Sequence, residues 1–172
     1  IGARVGRLGP DAERALSLAA VIGRDFDLDV LTRASGLSDD DLLDIFVQES
    51  ADILDHADTL VASLRESPDD RAPIVGLQRD LHTLKGGARM AGIMPVGELG
   101  HSMETLLEAV VAQRAELGRD GVPLLERGFD RLHGMITRVA ARRAVGLPVG
   151  LIDELNARAE TPVAAVAEAV DD

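Results

Sequence analysis

The sequence predicts an all-α protein, an up-down-up-down four-helix bundle with short extra helices at its N- and C-terminal ends. Three observations predict it. Apolar residues recur at helical spacing in four long stretches, joined by short polar, Gly- or Pro-bearing connections. The aromatic residues are only Phe26, Phe46 and Phe129, so Leu, Ala, Val and Ile must fill the core. That palette, with few β-branched runs, favours packed helices over a sandwich.

The elements follow in order. Residues 1–9 are rich in Gly and Arg and read as loop. A short helix is expected over Asp11–Ile22, with Pro10 near its start and Gly23 at its end; a second runs over Leu28–Ala34 and stops at Gly36. Residues 1–37 thus read as a helical appendage. Ser38 reads as an N-cap, and Asp39, Asp40 and Asp41 place negative charge in the first turn, where the helix dipole favours it. In the first long helix the inward stripe is Leu43, Phe46, Ser50, Ile53, Ala57, Leu60 and Leu64, widened by Leu54 and Val61.

Ser67, Pro68, Asp69 and Asp70 break the pattern. The next helix is expected over Ala72–Gly92, burying Ile74, Leu77, Leu81, Leu84, Ala88 and Ala91. Pro95 marks the following turn. A third long helix should run over Val96–Leu117 on Leu99, Met103, Leu106, Leu107 and Val110, ended by Gly118 and Gly121. The fourth should run over Pro123–Arg142 on Leu125, Phe129, Leu132, Ile136 and Val139. A short helix over Leu151–Arg158 closes the bundle, which spans residues 38–158, and residues 159–172 read as an acidic, Ala-rich tail.

The formal net charge is -12. It opposes binding to nucleic acid, whose phosphates need a basic face, and to an anionic membrane surface. There is no cysteine, hence no disulfide and no thiolate metal site. No apolar run is long enough for a membrane span and no export signal opens the chain, so a cytoplasmic protein is expected. The first residue is Ile1, so the chain is expected to be cut from a longer protein.

Chemistry concentrates in Leu81-His82-Thr83-Leu84-Lys85-Gly86-Gly87-Ala88-Arg89. His82 lies off the buried stripe and should face solvent. Lys85 is the only lysine in the chain. Gly86 and Gly87 fall mid-helix, where Gly costs about 1 kcal/mol relative to Ala. Positions three and four apart share a helix face, so Lys85 and Gly86 both neighbour the His82 ring. An ammonium beside an imidazole can neutralise an incoming phosphoryl group, and a missing side chain lets a partner approach. The bland readings are a solvated histidine and glycines that allow close helix packing. On the next helix His101, Glu104 and Glu108 share a face, expected opposite the Leu99, Leu106, Val110 stripe. If the two helices are antiparallel neighbours, a carboxylate such as Glu104 can hold one imidazole nitrogen and leave the other free to attack phosphorus. Otherwise Glu104 is an ordinary solvated residue.

His82-Thr83-Leu84-Lys85-Gly86-Gly87-Ala88 followed by His101-Ser102-Met103-Glu104 resembles the phosphotransfer domain of CheA-type chemotaxis kinases, in particular the multi-domain CheA-like kinases of type IV pilus motility. The phrase LQRDLHTLKGGARMAGI and the 19-residue step from His82 to His101 carry the likeness, which covers residues 39–142 and includes the short helix after Pro148. It implies an HPt-like bundle in which His82 is phosphorylated, with Lys85, His101 and Glu104 in a hydrogen-bonded network around it. It implies two partners: a histidine kinase catalytic domain that supplies the phosphoryl group and a response-regulator receiver domain that takes it. The chain would then be a carrier, not an enzyme, in a phosphorelay. Gly86, Gly87 and Arg89 are expected to meet the receiver. No cofactor is expected on this chain, and the Mg²⁺ that in-line transfer needs belongs to the receiver. Residues 8–44 resemble, more weakly, the start of a winged-helix segment of AAA-type regulatory ATPases, but no strand pair for a wing follows. A fusion or designed join near Ser38 would produce that pattern.

No P-loop and none of the Asn- and Gly-rich boxes of a histidine kinase ATP site is present, so the kinase must lie elsewhere. Two alternatives remain open at this point. One is a helical docking module that works without phosphorylation. The other is a metal-binding bundle using His56, Asp52 and Asp55 with His82, His101 and His133, although neither an HExxH motif nor a pair of Glu-x-x-His motifs on two helices supports it.

Overall fold

The structure, a computed structural model, describes residues 38–68 and 70–161, with the backbone alone at Arg119. The two short helices expected before Ser38 and the tail from residue 162 onward lie outside the described residues. The described residues form five α-helices and no strand: α1 Asp39–Glu66, α2 Arg71–Met90, α3 Met94–Val111, α4 Gly118–Ala140 and α5 Val149–Glu160. The chain divides into two compact units, residues 1–46 and 47–172.

Within the first unit, Ser38 begins α1 through a reciprocal capping box. Its Oγ accepts from the Asp41 N–H at 3.2 Å, and the Asp41 carboxylate accepts from the Ser38 N–H at 3.0 Å. Asp70 caps α2 by accepting from the Ala72 N–H at 3.0 Å.

The second unit is the bundle. Its helix directions follow from the pairs that touch. His56 and Leu60 of α1 meet Asp80 and Gly76 of α2, and Asp58 and Arg65 of α1 meet His133 and Glu126 of α4. In each case one number rises while the other falls, so α1 is antiparallel to both. Likewise Lys85 and Ala88 of α2 meet Gly100 and Gly97 of α3. The up-down-up-down order follows, with α2 and α4 at opposite corners. α5 packs on α3 and α4.

Leu54, Ala57, Val61 and Leu64 of α1 are buried, as are Leu77, Leu81 and Leu84 of α2 and Leu99, Met103 and Leu107 of α3. Leu125, Phe129, Leu132 and Ile136 complete the core from α4. On α1 the core line runs one position round from the expected stripe: Leu43, Ile53 and Leu60 are only half-buried. Burying each large side chain is worth about 1.5–3 kcal/mol, which makes this core the main source of stability.

Two expected boundaries move for one reason. α3 ends at Val111 instead of reaching Leu117, because Gln113 takes a left-handed conformation (φ 58). The Arg114 N–H then bonds the Ala109 carbonyl at 2.9 Å and the Gln113 N–H bonds that of Val110 at 3.0 Å, the Schellman ending. Gly118, also left-handed (φ 60), therefore opens α4 rather than closing α3. Arg158 of α5 secures that turn by donating to the Leu117 carbonyl at 2.7 Å.

Candidate functional site

α2 and α3 lie close because α3 turns glycines toward α2. A Cβ at Gly97 would sit 3.7 Å from the Ala88 Cβ, and one at Gly100 would sit 3.9 Å from both the Leu81 carbonyl and the Lys85 Cβ. Gly97, Gly100 and Glu104 follow at helical spacing on one face, so the glycines that bring the helices together also aim Glu104 at α2.

Glu104 is thereby buried, with its side chain 5% exposed. Of the three residues expected on the face that meets His82, only Glu104 points between the helices, as the reading in which it holds the imidazole requires; His101 and Glu108 are exposed. The difference arises because α3 has neighbours in α2, α4 and α5, leaving only a narrow strip of it for water.

A buried carboxylate needs partners, and Glu104 has two. Its Oε2 accepts from Lys85 Nζ at 2.5 Å, and its Oε1 lies 2.7 Å from His82 Nδ1. Burial pushes the carboxyl up. The hydrogen bonds from Lys85 and His82, followed by their charges, outweigh it and hold Glu104 below its usual range. An ionised carboxylate can only accept, so Nδ1 carries the ring proton. The lone pair then sits on Nε2, across the ring from Glu104, and the His82 side chain is 63% exposed.

Gly86, one turn beyond His82, is half-buried, and a Cβ there would meet nothing within 4 Å. Packing therefore does not account for this glycine; it leaves open surface beside the ring. Gly87 is half-buried, and its carbonyl accepts the Ala91 N–H that closes α2. Arg89 is exposed, its stem lying against Gly97. Thr83 ties its hydroxyl to the Arg79 carbonyl at 3.1 Å. Arg79 itself, one turn before His82 and exposed, is a basic neighbour that sequence reasoning passed over; its i−3 position was the available signal.

His101 is exposed, and its ring makes no hydrogen bond among the described residues. The structure thus joins His82, Lys85 and Glu104 and leaves His101 apart. The other two histidines pair separately, His56 with Asp80 at 2.7 Å and His133 with Asp58 at 3.1 Å. Among the described residues no group of three or more His, Asp or Glu is arranged to hold a metal ion, and no helix is long and apolar enough to cross a membrane.

A helical bundle that presents one exposed imidazole, with its inner nitrogen held by a buried carboxylate and a lysine alongside, is built to carry a group on that imidazole. The Hpt domain model matches residues 41–142, and the chain belongs to that family. It is 26% identical over 127 residues to the chemotaxis protein CheA of Bacillus subtilis and 30% identical over 135 residues to that of Rhizobium meliloti. These matches cover 72% and 75% of this chain but only 19% and 18% of the relatives, so the chain spans about a fifth of their length. A gliding motility regulatory protein of Myxococcus xanthus is 38% identical over 68 residues, 40% of this chain and 9% of that protein. Among solved structures, the phosphorylated P1 domain of CheA3 in complex with CheY6 from R. sphaeroides superposes with a TM-score of 0.63 at 25% identity, covering 71% of this chain and 97% of that one. As a member of the Hpt family, the chain is a phosphocarrier domain.

Proposed function

We propose that His82 is the phosphoryl-carrying residue, charged by the ATP-binding domain of a histidine kinase and discharged to an aspartate of a receiver domain. The observation that carries this reading is the 2.7 Å contact from His82 Nδ1 to the buried Glu104, on a ring otherwise open to solvent. In the first step the Nε2 lone pair attacks the γ-phosphorus of ATP held by the kinase. The bond to the bridging oxygen breaks and ADP leaves. Nδ1 keeps its proton on Glu104, which offsets the positive charge that develops on the ring. In the second step an aspartate oxygen attacks phosphorus from the side opposite Nε2, the N–P bond breaks, and neutral imidazole is restored.

Lys85 offsets phosphoryl charge near the ring, and exposed His101 borders the site from α3 without touching His82. Gly86 and Gly87 leave room for the receiver, and Arg79 and Arg89 face its acidic pocket. Mg²⁺ resides on the receiver, where it screens the acceptor aspartate. ATP and such partners are cytoplasmic, which supports that compartment. The names of the relatives support a motility pathway, and CheY6 in the similar complex supports a receiver as partner.

The experiment is a two-stage transfer with a Gly86→Leu variant. Folded Gly86→Leu should still be charged by a small phosphodonor but pass the group to a receiver at least about tenfold more slowly, since the new side chain fills the approach beside the ring. Transfer at the parent rate would place the receiver elsewhere.

A further inference from the structure

The chain carries a net charge of -12, yet residues 131–152 hold four arginines and no aspartate or glutamate. This reversal of sign runs from the end of α4 through the connection 141–148 to the start of α5, and α4 stands at the corner of the bundle opposite α2 and His82. Arg131, Gly134 and Arg138 recur at i, i+3 and i+7 and are all exposed. Nearer its N-terminus the same α4 face is covered by α5, where Arg127 pairs with Glu154. Beyond Val149, the first residue of α5, the connection 141–148 takes over and leaves a cavity of about 320 Å³ between Arg131, Arg138 and Gly146. Arg138 holds the connection in place by donating Nε and Nη2 to the Ala144 carbonyl at 3.1 and 3.0 Å.

Just after Gly146 in the chain, Leu147 and Val149 are 48% and 55% exposed, two of the four exposed large apolar side chains among the described residues. Arginines near a helix C-terminus complement its dipole, which accounts for Arg138. That effect does not reach Arg131, two turns earlier, and it explains neither the exposed apolar pair nor the missing acids.

We propose that this surface, α4 from Arg131 onward with residues 141–149, is a docking site for an acidic, leucine-bearing segment of a partner protein, separate from the phosphorylation face. Charge complementarity selects the occupant. Carboxylates match Arg131 and Arg143, and an apolar side chain covers Leu147 and Val149. A long polyanion such as nucleic acid would extend onto the strongly acidic remainder of the chain and be repelled. Because α4 and α2 occupy opposite corners, a segment bound here leaves His82 open. It would hold the carrier near its kinase or receiver at raised effective concentration.

The test uses the 172-residue chain, ¹⁵N-labelled, with a short synthetic peptide of Glu and Leu and a control carrying Lys for Glu. The Glu peptide should shift amide signals over residues 131–149. Its affinity should fall with added salt and drop about tenfold or more in the Arg131→Glu, Leu147→Ser variant, whose substituted side chains are exposed. Arg131→Gln should weaken binding less, and both variants should accept phosphate on His82 at the parent rate. Shifts centred on Arg79 and Arg89, equal binding of the Lys peptide, or unchanged affinity in the double variant would each overturn the proposal.

Discussion

Glu104→Gln changes few atoms and removes one charge, and the structure dictates how the amide must settle. Lys85 Nζ lies 2.5 Å from the carboxylate and has only protons to offer. The amide oxygen must therefore face Lys85, and the amide NH₂ is left facing His82 Nδ1. That nitrogen can then only accept, so the ring proton moves to Nε2, the atom that has to attack phosphorus. A hydrogen bond to a charged group is worth about 1.5–3 kcal/mol. Losing it from the reactive tautomer slows phosphoryl acceptance about 10- to 150-fold, at about 1.4 kcal/mol per tenfold. Two measurements check this: the initial rate of labelling from ATP with a kinase catalytic core, and the ring nitrogen shifts of His82 by NMR. The variant should show a protonated Nε2 and the slower rate. A ring that keeps its proton on Nδ1 and is charged at the parent rate would mean that Glu104 does not set the tautomer.

Lys85→Ala should slow charging about 5- to 150-fold and destabilise the fold by about 1–3 kcal/mol, because it strips a buried carboxylate of its strongest partner; urea unfolding and labelling kinetics measure the two effects. The pH dependence has a definite sign. Glu104 sits below its ordinary value of 4.5, so its contribution to stability is complete above that pH and is lost as pH falls through the lowered folded value. The stability gap between the parent and Glu104→Gln should therefore be constant near neutrality and narrow below about pH 4.5, and urea midpoints across that range would reveal a gap that fails to close. At the end of α3, Gln113→Gly should raise stability by about 0.5–1 kcal/mol, since glycine relieves the left-handed strain at a small entropic cost. Thermal melting should show a gain of about 1–4 °C, and a loss would mean that the Gln113 side chain itself stabilises the turn.

The fold was legible because its signals are periodic. Leu77, Leu81 and Leu84, and Leu125, Phe129 and Leu132, announce their helices by spacing alone, and each is buried. Ser38 was legible as a cap because its type and the acidic turn after it agree. The end of α3 was not, because the left-handed residue is Gln113 and nothing in a glutamine signals that conformation. Of the site, His82 and Lys85 stand out by position and rarity on one helix. The role of α3 was only half legible. Spacing puts His101 and Glu104 near one face, but which one enters the interface depends on helix rotation. Gly97 and Gly100 set that rotation, and their alignment with Glu104 was the usable signal.

The most direct measurement of the central claim is the position of the phosphate. The chain should be charged with labelled ATP and a kinase catalytic core, and the phosphorylated ring analysed by NMR and mass spectrometry alongside His82→Gln. Acid-labile, base-stable phosphate is expected on Nε2 of His82, and none on a folded His82→Gln variant. Phosphate on Nδ1, which Glu104 holds at 2.7 Å, or undiminished labelling of the variant, would contradict the central claim.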